Sequence, residues 1–166
     1  DIHGLHVDER GIFTVLTQED TLVLTSHDGN EVVAFQIGTD LSVKPVDRML
    51  NGPDWRFIGK QERGSTGNFH FNHIAVAKDV IQLTSRNLSC LISVNLSELT
   101  AVINPVAFNT PVLIHDGEYS GENFFLTSID GQVIKCSPRE IGGARCRSID
   151  LGAILGRVPN WTRGLA

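Results

Sequence analysis

Four residues of this sequence would carry chemistry if the fold brought them together: His3, Asn72, Asp116 and Arg163. Asn72 and Asp116 offer amide and carboxylate oxygens, the donors a hard divalent cation such as calcium prefers. Arg163 cannot ligate a cation. Its planar guanidinium instead suits an anionic group gripped by two parallel hydrogen bonds. His70, His73 and His115 add imidazoles, which suit zinc or general-base chemistry, but their spacing fits no standard metal motif. The plainer alternative is that these polar residues cap strand ends and satisfy backbone groups, and that the histidines are structural.

Other chemistries lack their signatures. Three Thr-Ser pairs (Thr25-Ser26, Thr84-Ser85 and Thr127-Ser128) have no Gly-x-Ser-x-Gly surroundings and read as turn and strand-edge hydrogen bonding. The glycine-rich stretch 59–67 lacks the Gly-Lys-Ser/Thr ending of a phosphate-binding loop. Asn87, Asn95 and Asn160 each begin an Asn-x-Ser/Thr triplet, a pattern short enough to recur by chance. The three cysteines, Cys90, Cys136 and Cys146, are too few for a disulfide framework. Cys136 and Cys146 lie where a hairpin would let them meet, although nothing in the sequence requires it.

The 166 residues suit one domain, 1–166, long enough to bury a core. A net charge of −5 argues against a nucleic-acid partner, because phosphate binding needs a basic face. No apolar run reaches the roughly 18 residues that would span a bilayer, so no membrane partner is expected and a soluble protein is. The compartment is left open.

The elements that must position these residues are strands. Segments 11–17, 21–26, 31–37, 72–77, 80–85, 90–96, 123–128, 132–136 and 146–150 are short and rich in β-branched and aromatic residues. Asp28-Gly29 and Asp130-Gly131 sit between strands as hairpin turns. Leu24-Thr25-Ser26 recurs as Leu83-Thr84-Ser85 and Leu126-Thr127-Ser128, at intervals of 59 and 43 residues. A period in the forties with four short strands per unit predicts an all-β protein of β-propeller-like repeats, each a four-stranded antiparallel blade. About three blades plus one strand are expected, with an irregular insertion at about 45–68.

Asn72-His73-Ile74-Ala75-Val76, His115-Asp116-Gly117-Glu118 and Arg163-Gly164-Leu165-Ala166 each stand where an innermost strand would start. They resemble the blade openings of the six-bladed propeller group that includes NHL-repeat, gluconolactonase-type and strictosidine-synthase-like proteins. The resemblance implies that Asn72, Asp116 and Arg163, with His3, converge on the channel mouth. In lactonase-type members such positions hold a divalent metal, so a cation such as calcium is the implied cofactor, with Asn72 and Asp116 as ligands.

Three blades do not close a ring. The partner expected is therefore a second copy, giving a homodimer, or the missing remainder of a ring. The function expected is recognition of a ligand or protein at the face where the innermost strands begin. A metal-dependent lactonase-like hydrolase and a structural repeat segment of a larger protein are the alternatives. The residues leave an enzyme and a binding module both open.

Overall fold

The computed structural model describes residues 2–46, 68–77, 79–105, 113–121, 123–136 and 146–157. It is an all-β, propeller-like arrangement of three antiparallel sheets, each with its strands in chain order. The first sheet runs β1 (Ile2–Asp8), β2 (Gly11–Leu16), β3 (Thr21–Thr25), β4 (Val32–Ile37) and β5 (Val43–Val46). The second runs β6 (Phe71–Ala77), β7 (Val80–Ser85), β8 (Cys90–Asn95) and β9 (Thr100–Pro105). The third runs β10 (Ile114–Ser120), β11 (Asn123–Ser128), β12 (Gln132–Cys136) and β13 (Arg147–Asp150). One short helix, α1 (Leu151–Leu155), follows; the Asp150 carboxylate accepts the Gly152 and Ala153 amides at its start. No described helix is long and apolar enough to cross a membrane.

The sheets stack face to face, and their first strands lie side by side, with β6 packed between β1 and β10. This arrangement explains the burial pattern. In β2 alternate residues Phe13 and Val15 are buried, as a sheet covered on one face requires. In β7 the whole run Ile81, Gln82, Leu83, Thr84 and Ser85 is buried, because the second sheet is sandwiched between the others. Phe13, Val15 and Leu22 meet Phe71, Ile74 and Leu83 in the first joint. Ala75 and Leu91 meet Ile114, Phe124, Leu126 and Ile134 in the second. Each such side chain contributes roughly 1.5–3 kcal/mol by leaving water. At Gly4 the inner strands come close enough that a Cβ would lie 2.9 Å from the Ile74 backbone nitrogen, so no larger residue fits there without a shift.

Three expectations are adjusted. The first sheet has five strands rather than four. Leu24, Thr25 and Ser26 end the third strand of their sheet, whereas Leu83 to Ser85 and Leu126 to Ser128 end the second. The triplet repeats because it builds a hairpin, not because it marks a rank. Ser26 and Ser128 each bond the aspartate two residues on, Asp28 and Asp130, and their carbonyls accept the amides of Gly29 and Gly131. Pro45 belongs to β5, an edge strand where its missing N–H breaks no ladder. The rest of the irregular stretch, 47–67, lies outside the described residues, as does the expected further opening strand at 161–166. Cys136 and Cys146 do form a disulfide, which joins β12 to the start of β13. Cys90 is a free, buried thiol, pushed up to about 11 by burial.

Candidate functional site at the start of the inner strands

Each inner strand is interrupted near its start. The ladder slips between Ile2 and Gly4 in β1, between Phe71 and His73 in β6, and between Ile114 and Gly117 in β10. Counting back from the three hairpins fixes the correspondence. Val7 pairs with Ile12, Val76 with Ile81 and Tyr119 with Phe124. His3, Asn72 and His115 are therefore counterparts, and Gly4, His73 and Asp116 are the next set. The residue matching Asn72 in the third sheet is His115, one place before the expected Asp116. Bulges of this kind re-aim side chains and concentrate near functional sites.

The loop entering β6 is tied down on every side. The Asp20 carboxylate accepts the Phe69 amide at 3.2 Å, and the Ser85 hydroxyl donates to the Phe69 carbonyl at 2.6 Å. The Thr17 hydroxyl donates to the Phe71 carbonyl at 2.7 Å, and the Arg86 amide to the His70 carbonyl at 3.2 Å. Phe69 and Phe71 stack with ring centroids 5.3 Å apart, anchoring both ends of the turn. Between them His70 is held at φ 50°, a left-handed conformation costly for a residue with a Cβ. Such strain persists where the surroundings over-determine it, and it clusters at ligand-handling sites.

The second sheet reaches the third in the same way. The Thr84 hydroxyl donates to the His115 carbonyl at 2.7 Å. His115 Nδ1 lies 2.8 Å from the Asp116 carboxylate. His3 and His70 meet edge to face at 6.0 Å between centroids. His73, on the face turned to the third sheet, stands 4.0 Å from Glu118. Five of the six histidines, all but His27, thus lie on or beside the inner strands.

Electrostatics follow from this crowding. Burial holds the His70 imidazole below its ordinary value, and the charges of Arg86, His3 and His115 add to the effect. Burial also lowers His73, against the opposing pull of Asp116 and Glu118. Both rings are neutral at neutral pH.

Asn72 is 1% exposed, and neither its amide nitrogen nor its oxygen has a hydrogen-bond partner among the described residues. A buried polar group without a partner typically costs about 1–3 kcal/mol, and such exceptions ask for an explanation. The structure therefore brings His3, Asn72, Asp116 and the neighbouring histidines to one end of the inner strands. Arg163 lies outside the described residues. For a calcium ion, Asn72 and Asp116 supply two oxygen donors where six to eight are usual. Among the described residues no group of three or more His, Cys, Asp or Glu is placed to hold a metal.

His70 had been singled out in the sequence as an imidazole but not as a strained residue, because φ is invisible there. The tethers Thr17 and Asp20 carried no local signal, since their partners lie about fifty residues away.

No family model and no curated protein matches this chain. Among solved structures, that of a streptogramin B lyase is similar, with a TM-score of 0.59 and 9% sequence identity. The match covers 90% of this chain and 40% of the lyase chain. At that identity the similarity is one of fold, and it supports the propeller-like reading of the three sheets.

Proposed function

We propose that this protein is a propeller-type binding protein that recognises a ligand at the face where β1, β6 and β10 begin. The observation that carries the reading is Asn72: a buried carboxamide, in a bulge of the central inner strand, with neither polar end paired among the described residues. Three features support it. His3 and His115 occupy the matching bulges on either side, His70 is strained and rigidly tethered beside them, and the lowered His70 and His73 rings can each donate one hydrogen bond and accept another. The open flanks of the outer sheets would be covered by a second copy of the chain, closing a ring of six blades about a two-fold axis.

The test is a nuclear magnetic resonance screen of several hundred small polar molecules, carboxylates and divalent cations against the labelled 166-residue chain. Binders are expected to shift the Asn72 side-chain amide together with the ring signals of His3, His70 and His115. Binders that perturb only other surfaces, or a library with no binder at all, would overturn the proposal.

A further inference from the structure

We infer that the ligand is an uncharged molecule presenting a hydrogen-bond donor and acceptor side by side, as an amide, lactam or urea does, and that the Asn72 carboxamide is what pairs with it. This rests on the binding role proposed above and adds the chemical class. A carboxamide offers two N–H donors and one acceptor oxygen in a single plane. Its complement is another group of the same pattern, joined by two parallel hydrogen bonds. Among the described residues neither half of Asn72 has a partner, so a ligand that satisfies only one of them, such as a carboxylate or a cation, leaves the other buried and unmatched.

The surroundings argue the same way. The nearest ionised groups on the inner strands are the carboxylates of Asp116 and Glu118, facing His73 from β10. Their charge disfavours an incoming anion. Burial lowers both His70 and His73, and the positive charge of Arg86 acts on His70 rather than on His73, beside the two carboxylates. Among the described residues no group of three or more His, Cys, Asp or Glu stands ready for a divalent cation. Discrimination by a site of this kind is steep, because a ligand lacking one partner strands a buried polar group.

The experiment follows the Asn72 side-chain amide signal during titration with 2-pyrrolidinone and acetamide as uncharged probes, acetate and phosphate as anions, and calcium chloride. The uncharged probes are expected to give saturable shifts, at concentrations at least tenfold below any effect of acetate, phosphate or calcium. In the variants the ring signals of His3, His70 and His115 are the readout, and Asn72→Leu should abolish their response to the uncharged probes. Asn72→Asp, which keeps the shape but loses the donor, should abolish it too and serves if the leucine variant does not fold. Anions or calcium binding as well as the lactam would overturn this inference while leaving a binding site in place. Silence of every probe would also overturn it, and only failure of the broad screen as well would remove the binding role.

Discussion

The Thr84 hydroxyl donates to the backbone carbonyl of His115 at 2.7 Å, joining the second strand of one sheet to the start of the next sheet's inner strand. Thr17 does the same for Phe71 one sheet earlier. These two bonds set the height at which the inner-strand bulges meet. Both are buried, so neither carbonyl can turn to water if its donor is removed.

Thr84→Val should therefore destabilise the fold by about 0.5–1.5 kcal/mol, the net contribution of a buried hydrogen bond. Urea unfolding measures it. A change below a few tenths of a kcal/mol would mean that the bond does not tie the sheets together.

Asp20 holds the turn that carries His70. Its carboxylate is raised above the usual range by burial, even though backbone amides of Phe69, Asn68 and His70 donate to it. A carboxyl whose pKa is raised on folding favours the native state more as pH falls through the window above its unfolded value of 3.8. Asp20 also sits at φ 48°, which Asn tolerates better than Ala. At pH 7 the expected order of stability is wild type, then Asp20→Asn, then Asp20→Ala, the last losing about 2 kcal/mol or more. Both variants should lose the contribution of this group to the acid-side slope. Alanine as the best tolerated substitution would contradict the tethering role.

His73 gives the opposite sign. Its pKa is lowered on folding, chiefly by burial. The unfolded chain binds its proton first, so the native state is favoured fully above the ordinary value of 6.5 and loses that advantage as pH falls through the lowered value. His73→Phe should flatten the loss of stability on the acid side of pH 6.5, measured by thermal unfolding across pH 4–8. An unchanged acid limb would show that another group governs it.

How much of this was legible in the sequence follows from the range of each interaction. Strands and Asp-Gly hairpins depend on neighbours, so β2, β7, β11 and the turns at Asp28 and Asp130 were readable. Leu24 misled about rank because the Leu-Thr-Ser hairpin is itself local, and nothing in it says how many strands precede it. Asn72 was legible as an opening from a polar residue followed by an apolar run, whereas His3, 21 residues before Leu24, could equally open the first blade or close an earlier one. The third was placed at Asp116, one residue after the counterpart His115, because Asp116 is the polar residue that stands before the small Gly117. β5 and β9 went unread: Pro45 and Pro105 stand in them, and a proline argues against a strand unless its edge position is known.

The proposed closure by a second copy has its own test. β1 leaves Leu5 and Val7 60% and 54% exposed, whereas in β6 their counterparts differ: Ile74 is fully buried against the preceding sheet and Val76 is partly buried against the same core. A homodimer is expected by light scattering at micromolar concentration, and Leu5→Glu combined with Val7→Glu should convert it to a folded monomer. A wild-type chain that stays monomeric and does not aggregate would contradict the closure.

The most direct measurement for the binding site is the unfolding free energy of Asn72→Leu. Leucine matches the shape of asparagine and removes two buried polar atoms that have no partner among the described residues. If Asn72 is kept for a ligand at a cost to the fold, the substitution should raise stability by about 1 kcal/mol or more while removing the response to amide probes. A loss of stability on Asn72→Leu would show that the carboxamide is paired and structural, and would contradict the account.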